Sequence, residues 1–225
     1  MDLRPESPES LLDLIRKRRS IRSFLAERPV AKDMLQQVIE AGIWAPTGTN
    51  QQELRFHVMT EPERLEEFSH FKKIKTAPCI VLIFIDFEGY YGDYSPTLKY
   101  KRHKRPLPYI DTGLCMMNMM LMAEALGLNS VPLNITPNLY YRDRKNRGLI
   151  RRLIQAACVT TGQSAFGVHF FSRFCRDLGI DTRRYIPAGA VALGYGAKQV
   201  DIARAIHGKR PIMRKDLDFY VLEGN

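Results

Sequence analysis

A layered domain with helices packed on a central sheet, α/β or α+β, is the fold class this sequence predicts, and three segments carry the prediction. Cys79-Ile80-Val81-Leu82-Ile83-Phe84-Ile85 is apolar at every position, the pattern of a central strand covered on both faces. Met34, Leu35, Val38, Ile39 and Ile43 recur at helical spacing, so an amphipathic helix turns one face to a core. From Tyr109 to Leu126 the chain is helical in composition and apolar nearly all round; such a helix must be buried, either centrally or against a partner subunit.

The elements follow in order. Ser7-Pro8-Glu9 offers a cap, a proline at the first helical position and an acid in the first turn, and Leu11, Leu12 and Ile15 supply an apolar stripe. A short helix to about Arg18 is predicted. The second helix ends before Ala45-Pro46, and Thr47-Gly48-Thr49-Asn50 is a polar loop with turn chemistry. Arg55-Phe56-His57-Val58-Met59 alternates as a strand does, and Thr60 with Glu63 forms a capping-box pattern for a helix carrying Leu65 and Phe68. Gly127 is placed to end the long apolar helix, whose methionines read as core filler. Residues 140–185 begin basic and helical and then pass through the loop Thr160-Thr161-Gly162-Gln163-Ser164. Ala190-Val191-Ala192-Leu193-Gly194-Tyr195 is the last core strand. No repeat, low-complexity tract or linker divides the chain, so residues 1–225 are expected to form one domain.

Composition bounds the function. With 225 residues, 45% of them hydrophobic, the chain buries one sizeable core and is not disordered. Met1 to Pro8 lacks a basic segment leading into an apolar run, and the longest apolar stretch is strand length, so a soluble, cytoplasmic protein without a membrane span is expected. Cys79, Cys115, Cys158 and Cys175 lie far apart without C-x-x-C spacing and read as reduced structural thiols. His57, His70, His103, His169 and His207 show no H-x-x-x-H pattern, so no metal site is expected.

The formal net charge is +10, from 34 Lys and Arg against 24 Asp and Glu, and it is patchy. Arg16 to Arg19, Lys99 to Arg105, Arg142 to Arg152 and the group Lys209, Arg210, Arg214 and Lys215 suit an anionic small molecule or nucleic acid, or are solvated faces. Tyr94, Tyr100, Tyr109, Tyr140 and Tyr141 lie in or near two of these patches, as a nucleic-acid stacking surface requires, yet no nucleic-acid motif accompanies them. Within Arg18-Arg19-Ser20-Ile21-Arg22, alternation in an extended chain turns Arg18, Ser20 and Arg22 the same way. Two guanidiniums and a hydroxyl make a phosphate receptor. A solvated helix end favoured by the helix dipole has the same composition, and spacing alone leaves both readings open.

R-R-S-x-R near the N-terminus resembles the opening signature of the nitroreductase-like flavoprotein family. Four further segments agree in order. Ala45 to Phe56 resembles the family's A-P-S-x-x-N-x-Q-P-W-x-F loop and strand, and Asp111 to Leu128 its long central helix and G-L turn. Pro187 to Gly196 is similar to its last core strand, and Lys209-Arg210-Pro211 sits where the family places a basic phosphate ligand. The resemblance implies an α+β three-layer sandwich, with a central, mostly antiparallel sheet flanked by helices, in a homodimer with FMN sites at the interface. It also implies an insertion within 140–185 and a C-terminal extension from about 197.

Carried over by residue, the resemblance implies that Arg18, Arg19 and Ser20 hold the FMN phosphate and ribityl chain, joined by Lys209 and Arg210. Arg22 would reach the N1/O2 edge of the flavin. Pro46, Thr47, Gly48, Asn50 and Gln52 would line the ring from the other subunit. Pro132, Leu133 and Asn134 would pass near N5, although Asn134 is equally an ordinary turn amide. NADH or NADPH would supply a hydride, and an electron-poor organic acceptor, a nitro compound or quinone, would take the electrons. The cofactor carries such chemistry, so Arg22 and Asn134 are the candidate catalytic residues and no catalytic carboxylate is required.

Three alternatives remain: a dehalogenase or dehydrogenase of the same fold, a flavoprotein without turnover, and a basic nucleic-acid-binding protein. One departure stands out. Gln52-Glu53-Leu54 replaces Q-P-W, which removes an aromatic and implies a less rigid turn.

Overall fold

The computed structural model describes residues 8–72, 74, 76–86, 107–135, 174–181, 184–197, 206–207 and 210–211. Helices α1 (Pro8–Lys17) and α2 (Lys32–Ile43) precede β1 (Leu54–Met59), α3 (Pro62–Lys72) and β2 (Cys79–Asp86). Then follow α4 (Leu107–Ala125), β3 (Asn129–Leu133), β4 (Tyr185–Gly194) and two short strands, β5 (Ile206–His207) and β6 (Arg210–Pro211). Residues 140–173 of the stretch expected to hold an insertion and most of the extension from about 197 lie outside the described residues, as do the basic patches Lys99 to Arg105 and Arg142 to Arg152.

The main sheet has the order β1-β2-β4-β3 and every pairing in it is antiparallel. β2 lies inside it and is buried at every position, as its unbroken apolar run requires. Successive side chains point to opposite faces, so one strand feeds two cores. Val81 and Ile83 join Leu35 and Val38 of α2 and Cys115 and Met119 of α4 on one face. Ile80, Leu82 and Phe84 join Phe68 of α3 and Phe174 on the other. Helices therefore cover both faces, in three layers.

The long helix is buried on the sheet over only part of its surface. Cys115, Met119 and Ala123 are buried on the sheet, while Leu107, Ile110 and Leu114 of its first half stay exposed. Its end is a Schellman motif. Gly127, at φ 75°, donates to Glu124 O at 3.0 Å, and Leu128 N–H reaches Ala123 O at 2.8 Å. The cap of α3 differs from the sequence pattern. Leu65 N–H bonds to Glu61 O at 2.9 Å, so the helix begins one residue later than a Thr60 cap requires, with Pro62 in its first position. Glu61 takes the Thr60 N–H at 3.2 Å, and this bond with its own backbone N–H holds its carboxyl low. No helix among the described residues is long and apolar enough to cross a membrane.

Candidate functional site

The basic run at the end of α1 divides by burial. Arg16 is exposed and pairs with Asp13 at 3.7 Å, a surface pair of little energetic weight, and Lys17 is exposed as well. Arg18, Arg19 and Ser20 are half-buried. Arg19 Nη1 donates to the carbonyls of Arg16 and Arg18, which closes the helix end. Ser20 then forms a bridge with Ser130 of β3, and Ile21 N–H donates to Ser130 O at 3.1 Å. These bonds dock the segment on the open edge of the sheet.

The extended run does not continue as one strand. Phe24 bridges Gly196 beyond β4, and Phe24 N–H meets the Thr76 hydroxyl at 3.2 Å. Ile21 and Phe24 are both buried, three positions apart, so strict alternation breaks between Arg22 and Phe24. The cause is the need to bury both apolar side chains at the sheet's end. Arg22 is exposed, whereas Arg18 and Ser20 are half-buried.

The second element of the site is the loop between α2 and β1. Thr49, Asn50 and Gln52 adopt φ of 52°, 57° and 52°, a left-handed conformation that costs non-glycine residues roughly 1–2 kcal/mol each. Local bonds hold it. Asn50 N–H donates to Thr47 O at 2.9 Å, Gln52 N–H to Thr47 Oγ1 at 3.1 Å, and Arg55 Nη1 to Gln52 O at 2.9 Å. Gly48 lies so close to Leu107 that a Cβ there would stand 2.3 Å from Leu107 Cδ2, and its N–H donates to Asp111 Oδ2 at 3.0 Å. The Gly48 bond to Asp111 thus fastens the loop to α4, and the other bonds hold it locally.

Glu53 and Asp111, both fully buried, went unassigned in the sequence. Glu53 O accepts the Asp86 N–H at 2.8 Å, which turns the side chain inward. Burial pushes its carboxyl from 4.5 up to about 7; its own backbone N–H acts against the shift, Asp111 adds to it, and Arg55 opposes it weakly. Asp86, itself buried, is held by Arg184 at 3.1 Å and by Arg55 at 3.4 Å. One signal was legible: a carboxylate, Glu53, stands where the resembled motif has a proline. Its partner across the fold was not.

Pro132 and Leu133 lie on β3, two and three residues beyond the Ser130 bridge, with Pro132 exposed and Leu133 buried; Asn134 follows the strand, exposed. Ser130 therefore links the N-terminal segment to the strand that carries the proposed N5-side residues. Pro46 and Asn50 are exposed on their loop near the start of α4. Arg210 opens β6 and pairs with His207, and Lys209 lies outside the described residues. Cys79, Cys115 and Cys175 are buried, and burial pushes their thiols up to about 12, so they are inert packing groups.

The family model described as Nitroreductase family matches residues 15–74 and 66–195, a span that takes in the basic segment, the loop, α4 and β2 to β4. The chain belongs to the Nitroreductase family. This oxidoreductase is 25% identical over 200 residues to the CLA biosynthesis enone reductase of Lactiplantibacillus plantarum, covering 84% of its own length and 87% of that enzyme. To the FMN reductase (NAD(P)H) of Bacillus subtilis strain 168 it is 30% identical over 125 residues, half of that protein. Solved structures share its fold. A nitroreductase-like protein from Streptococcus mutans superposes with a TM-score of 0.65 at 17% identity, over 97% of this chain and all of that one. A Desulfovibrio desulfuricans protein of nitroreductase type, solved with FMN, gives 0.61 at 23% identity, over 98% and 99%. The family and the α+β layered fold are those that the five ordered segments implied.

Proposed function

We propose that this nitroreductase-family chain is a cytoplasmic, homodimeric, single-domain FMN-dependent NAD(P)H oxidoreductase whose acceptor is an electron-poor organic molecule of the nitro or quinone type. The observation that carries the reading is the inward turn of Arg18, Arg19 and Ser20 at the Ser130 bridge. Arg19 Nη1 closes the helix end, but that does not by itself account for the half-burial of Arg18 and Ser20 beside a strand. The donor set also fits the cofactor's phosphate: Arg19 Nε and Ser130 Oγ are buried without a hydrogen-bond partner among the described residues, and donors of this kind suit an anion.

FMN, when bound, supplies the redox chemistry, accepting a hydride from NADH or NADPH and passing electrons to the acceptor. Arg18, Arg19 and Ser20, with Lys209 and Arg210, bind the phosphate. Pro46, Thr47, Gly48, Asn50 and Gln52 form the loop that lines the ring across the subunit interface and excludes water. Pro132, Leu133 and Asn134 orient the N5 side. Arg22 is the cation directed to the ring, where negative charge accumulates on reduction. Arg22→Met is therefore expected to lower the two-electron midpoint potential. Loss of about 1.4 kcal/mol of differential interaction corresponds to about 30 mV, which spectroelectrochemical titration resolves. An unchanged potential with strongly weakened FMN binding would move Arg22 to the phosphate.

Exposed apolar side chains support the dimer. Leu11, Leu12 and Ile15 on α1, Ile43 and Trp44 at the end of α2, and Ile110 and Leu114 on α4 are uncovered, and α1 and α2 both pack against α4. Trp44 is 79% exposed, an unusual position for the largest apolar side chain unless a second copy covers it. Trp44→Ala is expected to weaken the dimer by about 2 kcal/mol, roughly thirtyfold in dissociation constant. Sedimentation equilibrium measures this; identical constants for wild type and variant would remove Trp44 from the interface.

The whole reading is tested by the visible spectrum of the purified protein, followed by NAD(P)H oxidation with nitro, quinone and enone acceptors. Enones are included because the long-matching Lactiplantibacillus relative is named for one, and an enone is also electron-poor. A colourless protein that takes up no added FMN overturns the proposal.

A further inference from the structure

We propose that Glu53 is a positioning residue: its carboxyl, set against Asp111, pins the strained Thr47–Gln52 loop onto α4, and loss of its proton releases the loop. Asp111 sits at the junction. It accepts the Gly48 N–H at 3.0 Å from the start of the loop and meets the Glu53 side chain at the loop's end. Both carboxyl groups are buried. Both Glu53 oxygens are buried without a hydrogen-bond partner among the described residues, and Asp111 is the acid whose charge acts on this carboxyl. The backbone between these two anchors holds three left-handed non-glycine residues, which relax unless both ends are fixed.

The charges around Glu53 decide what its ionisation does. From α4 comes Asp111, a like charge. From β1 comes Arg55, but its guanidinium is committed to Gln52 O and Leu54 O at 2.9 Å and to Asp86 at 3.4 Å. On β2 the Asp86 carboxylate faces Arg55 and Arg184, and its backbone N–H alone reaches Glu53. Arg55 therefore offsets the charge of an ionised Glu53 only in part, and burial outweighs it. Two carboxylates in one buried space repel, and the relief open to the chain is to swing Glu53 into water. That movement lifts the loop and strains the Gly48 bond to Asp111. The closed loop binds the Glu53 proton more tightly than the open one, so opening becomes easier as pH rises from about 4.5 and levels off above about 7.

The consequence for the cofactor rests on the flavin reading, because that reading makes this loop line the ring; the latch itself does not. The test is hydrogen exchange of the 47–53 backbone amides in purified holoenzyme from pH 5 to 8.5, corrected for intrinsic exchange, for wild type and Glu53→Gln. The glutamine donates to Asp111 at every pH and does not titrate. Wild-type protection is expected to fall by about tenfold per pH unit between pH 5 and 7 and then level off, while Glu53→Gln stays within about twofold throughout. A flat wild-type curve overturns the latch, and so does a variant that follows the wild-type course. If Glu53→Gln fails to fold, the wild-type curve still decides. FMN titration of the same samples separates the two readings. Bound FMN with a flat exchange curve sinks the latch and leaves the flavin site, whereas a pH-released loop in a protein that takes no FMN does the reverse.

Discussion

Between pH 4.5 and 7 the unfolding free energy is expected to fall by about 3 kcal/mol through Glu53, and Glu53→Gln should abolish that part of the slope. In the folded chain, burial pushes this carboxyl from 4.5 up to about 7. Over the interval the folded state keeps a proton that the unfolded state has released, so the folded state binds more protons and stability decreases with pH. The slope is about 1.4 kcal/mol per pH unit, and it vanishes below the lower value and above the upper one. This is opposite in sign to the usual contribution of a salt-bridged carboxylate, which stabilises at high pH. Denaturant unfolding at fixed protein and FMN concentration, in steps from pH 4 to 8, measures it as the difference between wild type and variant. If that difference stays constant across the range, the raised proton affinity does not belong to Glu53.

Arg18→Ala is expected to weaken FMN binding by ten- to a hundredfold while leaving the fold intact. A hydrogen bond to a charged group contributes about 1.5–3 kcal/mol, and the alanine removes both the donors and the charge from the proposed phosphate site. Lys17 provides an internal control. It is the adjacent residue, equally cationic but exposed on α1, so Lys17→Ala should change affinity by less than about twofold at moderate ionic strength. Ser20→Ala should fall between them, because a neutral hydroxyl contributes less than a guanidinium. FMN titration of apoprotein, with circular dichroism to confirm the fold, gives all three constants. Equal losses in Arg18→Ala and Lys17→Ala would mean a diffuse basic surface and no built phosphate site.

What the sequence determined by itself about this protein is what depends on local periodicity. The all-apolar run from Cys79 marks an inner strand because a strand covered on both faces has no solvent side to signal. The spacing in α2 and the glycine at 127 are likewise local, and their boundaries agree with the structure within one or two residues. The order of the segments was enough for the family. The tertiary structure alone separated Arg16 and Lys17 from Arg18 and Arg19, since four consecutive basic residues look alike until one bridge, Ser20 with Ser130, turns the chain inward. It alone broke the alternation between Arg22 and Phe24, because Phe24 is drawn to Gly196, more than 170 positions away. The apolar stripe of α1 was visible in the sequence, but that it lies uncovered follows from which neighbours the fold supplies. Glu53 and Asp111 are the plainest case. Asp111 reads as an unremarkable acid and Glu53 only as a departure from the resembled motif, and their chemistry arises when the packing of α4 over the loop brings them, 58 positions apart, into one buried space.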